Sequence, residues 1–177
     1  MSGQMEQSNF EISLENDYQQ FLTKTDIAPD GHQYPAVKIH CKHDGVIVVI
    51  ATVGGYLFVK HNRLSGESLG FVRGYCEKGE APIESAKREA VEELGIDPER
   101  ITNAVEFGTV YADNAYIDQK VHVVLLEVQS DQSDYHVQKE ERVIEPVWYS
   151  REDVNDPNFI KHISDGYTLS ALAKLHK

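Results

Sequence analysis

Residues 74–96, GYCEKGEAPIESAKREAVEELGI, decide how the 177-residue chain is read. Their second half, 82–94 (PIESAKREAVEEL), reads as a helix. Pro82 suits the first helical position, where its missing N–H costs nothing, and Gly95 suits the position just past the end. At about 100° per residue, Ile83, Ala86, Ala90 and Leu94 form one apolar stripe. Glu89 and Glu93 stand one turn apart, at i and i+4, with Glu92 beside them, on an arc at the edge of that stripe. Like charges at this spacing weaken an isolated helix by about 0.2–0.5 kcal/mol per pair. Either this is a solvated acidic face, or the carboxylates share a divalent cation that removes the conflict. Hard oxygen donors with room for water and phosphate favour Mg²⁺ or Mn²⁺.

The chain as a whole has ordinary globular composition, 41% apolar and 26% charged. A formal net charge of −12 argues against nucleic acid as a partner. No run of about 18 to 20 apolar residues is present to span a bilayer, so no membrane role is expected. The first residues, MSGQMEQSNFE, lack the basic and apolar regions of a secretory signal. Two cysteines, Cys41 and Cys76, cannot build a disulfide framework, and a reducing cytoplasm is the simplest expectation.

Before residue 37, 8–14 alternate like a strand and 16–24 (NDYQQFLTK) read as a short helix, with turns at Asp30-Gly31 and Pro35. Residues 1–36 are therefore expected to be an N-terminal annex and 37–177 the main domain. In the main domain, 36–41 and 46–52 are apolar β-branched runs, and Gly54-Gly55 reads as a hairpin turn into 56–60. Strands are expected again at 105–111, 120–128 and 143–150, a polar loop at 129–141, and a C-terminal helix at 165–175. Helices among mixed strands indicate an α+β sandwich, not a doubly wound sheet. His40, Cys41 and His43 look superficially like a soft metal site. Strand alternation sends His40 and Cys41 to opposite sides, however, and argues against structural zinc.

Gly74, five residues, Glu80, seven residues, then Arg88-Glu89-Ala90-x-Glu92-Glu93-x-Gly95-Ile96 resembles the complete Nudix box. At average residue frequencies, such a match by chance is well under roughly one in a million. The resemblance implies the Nudix α/β/α sandwich with a mixed β-sheet and a short β-containing annex. It implies metal-dependent cleavage of a nucleoside-diphosphate linkage. Gly74 and Gly95 would be structural, and Glu80 and Arg88 a pair stapling loop to helix. Arginine's planar fork is not replaceable by lysine in such a pair. Glu89 and Glu93 would be metal ligands, with Glu92 a third that also belongs to the catalytic set. A general base would come from a loop glutamate before the last strand, Glu140 or Glu141, with Glu145 in reserve.

Length, annex and final helix resemble the ADP-ribose pyrophosphatase branch. That branch implies cleavage of ADP-ribose to AMP and ribose 5-phosphate, and a homodimer formed through the annex. Arg63, Arg73 and Tyr111 are the expected substrate contacts, with Tyr116 a second aromatic for an adenine. Gly70-Phe71-Val72-Arg73 stands where the branch carries Glu-Leu-Pro-x. Dinucleoside-polyphosphate or nucleotide-sugar hydrolysis is the alternative activity. A non-catalytic nucleotide sensor is the alternative of a different class, although such domains usually lose box carboxylates that this chain keeps.

Overall fold

The run GVIVVIAT at Gly45–Thr52 (β4) is apolar at almost every position, as a strand covered on both faces requires. Val46, Val48 and Ile50 point into one core, and Ile47 and Val49 into another. In this computed structural model, which describes residues 10–63, 66–129 and 143–175, the chain divides into two units. One holds residues up to 43 together with 111–119, and the other holds 44–110 and 120–177. The N-terminal unit thus takes in residues 37–43 beyond the stretch read as an annex.

In the smaller unit, Glu11–Glu15 (β1), Gln19–Ile27 (β2) and Gln33–Cys41 (β3) form an antiparallel sheet. Ile117–Asp118 (β9) adds to β3 in parallel. The helix expected at 16–24 is not there, because β2 is the middle strand of this sheet. Pairing on both edges outweighs a weak local helix signal. Asn16 makes the turn into β2, its side-chain oxygen accepting from the Tyr18 and Gln19 amides at 2.8 Å. His40 meets the Asp118 carboxylate at 3.1 Å, while the Cys41 thiol lies 3.8 Å from the Gln19 amide nitrogen, so the two side chains take different partners.

The larger unit is built on a seven-stranded mixed sheet. Its main path runs Val143–Ser150 (β11), Gly55–Arg63 (β5), β4, Val121–Val128 (β10) and Ile101–Val110 (β8). Gly66–Gly70 (β6) pairs with β5, and Val72–Tyr75 (β7) pairs with β4. β4 and β10 are parallel, and the other pairs are antiparallel. The helix Pro82–Leu94 (α1) covers one face. Its N-cap, Ala81, makes no side-chain cap, and Gly95 ends it in the left-handed region at φ 64°. Ala86, Ala90 and Leu94 of the expected stripe are fully buried there, and Ile83 packs partly against the same core.

The opposite face carries Arg151–Asn155 (α2), a 3₁₀ turn at Phe159–His162, and Gly166–Leu175 (α3). Phe58 anchors this side, stacked on Phe71 at 4.5 Å and meeting Tyr149 and Phe159 edge-on. Asp165 caps α3 by accepting from the Thr168 amide at 2.9 Å and from its hydroxyl at 2.6 Å. The Thr168 hydroxyl in turn takes the Phe71 amide at 3.1 Å, where the chain breaks between β6 and β7. The result is a helix–sheet–helix sandwich of α+β class. Among the described residues, no helix is long and apolar enough to cross a membrane, and both cysteines are free and buried.

Candidate active site

The site is assembled where β7 ends and α1 begins. Gly74 sits on β7 with its α-carbon directly beneath the Glu89 carboxylate, and a β-carbon there would overlap that carboxylate. Only glycine leaves this seat open. One helical turn on, Glu93 is 8% exposed, which is rare for a glutamate. Glu92 is more open, with about half its side chain accessible, and is turned toward Arg88. The structure therefore groups Glu89 with Glu93 and sets Glu92 at the rim.

Arg88 organises the corner. Its Nε donates to Glu80 Oε1 at 3.2 Å and its Nη2 to Glu80 Oε2 at 3.1 Å, the two-point fork expected of this pair. Nη2 also donates to the Tyr75 carbonyl at 2.7 Å. Nη1 donates to Glu89 at 2.8 Å and to Glu92 at 2.9 Å. Glu80 further accepts from the Ser85 hydroxyl at 2.6 Å and the Glu77 amide at 3.1 Å. Burial pushes the Glu80 carboxyl pKa up, but the bonds from Arg88, Ser85 and Glu77 outweigh it and hold it at about 2. For Arg88, burial works against the charge, and the Glu80 and Glu89 carboxylates raise its pKa in spite of it. The Cys76 thiol, inside the same loop, is pushed up by burial, away from the thiolate a nucleophile requires.

The other expected residues are scattered. Arg73 points to the far side of β7 from Gly74, where it pairs with Asp165 at 3.3 Å and lies over the Tyr167 ring. Glu145 pairs with Lys60 across the β11–β5 ladder. It lies on the same face of β11 as Tyr149, which packs on the α3 side. Arg63 closes β5 against Gly66, and its side chain, like Glu140 and Glu141, lies outside the described residues. Tyr111 and Tyr116 are exposed and belong to the smaller unit.

The NUDIX domain family model matches residues 42–169. The chain belongs to the Nudix family. With every residue of the box in place, it is a Nudix hydrolase. The ADP-ribose pyrophosphatase of Bacillus subtilis (strain 168) is 29% identical over 138 residues, which span 76% of this chain and 73% of that protein. A crystal structure of an ADP compounds hydrolase superposes with a TM-score of 0.69 at 16% identity, covering 95% of this chain and 90% of that one. At that identity the likeness establishes the shared Nudix fold alone.

Two parts of this site are not legible in the sequence. Ser85 is a second donor to Glu80, and the spacing Glu80-x-x-x-x-Ser85 carried no signal for it. The Tyr75 carbonyl is a backbone group, to which no residue identity points. Elsewhere on the sheet, His122, bracketed by Glu106 and Asp44, is a lone polar residue at the buried start of VHVVLLEV.

The depressed Glu80 pKa has a consequence for stability. Between pH 4.5 and about 2 the unfolded chain binds a proton at Glu80 that the folded chain refuses. Stability from this group is therefore complete above that window and lost as pH falls through it. Glu80→Gln should destabilise the protein by about 1–3 kcal/mol near neutrality. In urea denaturation, the difference between variant and wild type should shrink steadily as pH is lowered across the window. A difference that does not change with pH would show that the carboxylate charge is not what Arg88 holds.

Proposed function

We propose that this Nudix hydrolase cleaves the diphosphate linkage of ADP-ribose or a close nucleoside-diphosphate relative in a Mg²⁺- or Mn²⁺-dependent reaction. The observation that carries the proposal is the seating of Glu89 over Gly74 with the buried Glu93 one turn away. Two glutamates held with little solvent at i and i+4 repel each other, and a buried carboxylate is costly without a compensating charge. Arg88 donates to Glu89 and to Glu92 from the same side of its guanidinium. Among the described residues, no group of three or more His, Cys, Asp or Glu side chains is arranged to hold a metal ion. Mg²⁺ keeps waters and substrate phosphates in its shell and needs only one or two protein carboxylates. Glu89 and Glu93 would hold the ion, with Glu92 at its edge. When bound, the ion supplies charge neutralisation to the diphosphate and lowers the pKa of a coordinated water.

In the reaction, a water oxygen bonds to one phosphorus while the bond from that phosphorus to the bridging oxygen breaks. AMP and ribose 5-phosphate leave, and a glutamate of the 140–141 pair accepts the proton. ADP-ribose as the substrate is supported by the relative of that name and by the length, annex and final helix that resemble the same branch. A wider range of ADP-containing diphosphates is favoured by one observation. Gly70 occupies the position of the branch's glutamate, and a β-carbon there would meet the Thr168 hydroxyl at 2.8 Å. The C-terminal helix has taken that space, so a side-chain contact from position 70 is not available. Missing one such polar contact relaxes selectivity.

Chelation should abolish turnover of ADP-ribose and added Mg²⁺ should restore it. Glu93→Gln should lower kcat on the order of 10³-fold, about 4 kcal/mol of transition-state stabilisation. Activity that persists in EDTA would contradict the metal reading. Comparing kcat/KM for ADP-ribose, a nucleotide sugar and a diadenosine polyphosphate decides the substrate. A tenfold preference for the polyphosphate, about 1.4 kcal/mol, would overturn the choice of ADP-ribose.

A homodimer through the smaller unit is part of the same proposal. Ile12, Leu14 and Ile27 there are more than half exposed, and Phe21 and Val37 nearly so, a denser apolar surface than a monomer ordinarily leaves open. Light scattering at micromolar concentration should give twice the chain mass, and a fully active monomer would contradict it.

A further inference from the structure

His122 is a polar exception on an apolar surface. Along β10, Val124 and Leu126 enter the core beneath α1, and Val121 and Val123 enter the opposite one. Alternation places His122 on the α1 side, 8% exposed. Its two ring nitrogens face carboxylates from two other segments. Nδ1 lies 2.6 Å from Glu106 on β8, and Nε2 lies 3.2 Å from Asp44, the residue before β4. Lys120 also meets Asp44, at 2.9 Å. Burial opposes the Asp44 charge, but its bonds from Lys120 and His122 hold its pKa below the usual range. Asp44 and Glu106 stay 42% and 35% exposed at their side chains, so water screens both pairs and they add little to the stability of the fold. The neighbours Val46 and Val124 show the apolar solution on the same face. Stability alone does not account for the trio.

Its location offers a reason. His122 pairs in register with Val46, and Val46 with Gly74. The histidine and the glycine that seats Glu89 therefore share one row of the sheet, two strands apart, or roughly 10 Å. The main chain at Asp44 and Gly45 joins the strands between them. The Asp44 carbonyl accepts from the Cys76 amide at 2.9 Å, and the Gly45 amide donates to the Lys120 carbonyl at 2.8 Å. Immediately before Cys76 come Tyr75, whose carbonyl anchors Arg88, and Gly74.

We propose that His122 is a positioning residue for diphosphate hydrolysis. Clamped between Glu106 and Asp44, it fixes the Asp44 corner and, through the Cys76 amide, the Gly74–Tyr75 segment on which Glu89 is seated. This rests on the reading of the box as the catalytic centre. The working contact is the one to Asp44, so a side chain that restores a donor at the Nε2 position is sufficient. Glutamine reaches that position, whereas asparagine reaches only as far as Nδ1, toward Glu106.

The test uses the full chain with leucine, glutamine and asparagine at position 122. It reads kcat and KM for ADP-ribose, Mn²⁺ binding without substrate by electron paramagnetic resonance, and urea stability. His122→Leu should unfold at the wild-type urea midpoint or above it. Its kcat should fall about 10–100-fold at nearly constant KM, with weakened Mn²⁺ binding. His122→Gln should recover most of both losses, and His122→Asn should not. Wild-type kcat and Mn²⁺ binding in His122→Leu would overturn the proposal. So would losses in all three variants that merely follow a loss of stability. Glu93→Gln is measured alongside: wild-type turnover and Mn²⁺ binding in that variant would remove the reading of the box itself, and this proposal with it.

Discussion

A guanidinium carries five N–H donors in one rigid plane, and Arg88 uses all of them. They reach both oxygens of Glu80, the Tyr75 carbonyl, Glu89 and Glu92. One side chain thereby ties α1 to the loop before it, to the end of β7 and to its own acidic turn. The Glu80 end is reinforced by Ser85 and the Glu77 amide. The guanidinium is partly buried, so losing Glu80 or the Tyr75 carbonyl would leave donors with little water to replace them. This is why a loop with no other regular structure enters α1 in one conformation. The catalytic geometry follows from that constraint, because the same plane that grips Glu80 also aims Glu89 at Gly74.

The sheet assigns different work to its two faces. Beneath α1, the apolar row of β10 is interrupted at His122, which meets Glu106 on β8. Beneath α3, the polar groups are structural. Asp165 caps the helix, Thr168 holds the Phe71 amide, and Arg73 is spent on Asp165 and Tyr167. Arg73 and Gly74 are adjacent in sequence and lie on opposite sides of β7, a direct result of strand alternation. Adjacency in the motif therefore does not make Arg73 part of the chemistry. Gly70, also on this second face, lets α3 approach closely. The departure from the branch's Glu-Leu-Pro-x is a packing feature of this chain.

Sequence was most informative where period and capping agreed. Pro82, the stripe through Leu94, and Gly95 placed α1 within its observed bounds, and the apolar runs placed β4, β10 and β11 to within a residue or so. It failed at 16–24, where the middle strand of a sheet draws its stability from neighbours that no local window contains. β6 and α2 are short and mostly polar, and their signal lies in the register of β5 and in the Ser150–Asp153 capping box. At the site, the Glu89–Glu93 spacing was legible because helix geometry fixes it, and the Glu80–Arg88 pair was legible only through the resemblance of the box. The trio around His122 was not, because its members come from three segments brought together only by the register of β8, β10 and β4.

The central claim is that the planar fork of Arg88, and not its charge alone, sets the carboxylates for metal binding. Arg88→Lys keeps the charge and removes the fork, leaving at most three donors at a single point. The most direct measurement is Mn²⁺ titration of wild type and Arg88→Lys by isothermal calorimetry, with circular dichroism confirming the fold. Binding at least about tenfold weaker in a folded Arg88→Lys, or 1.4 kcal/mol, is the expected result. Equal affinity in the two proteins would contradict the account.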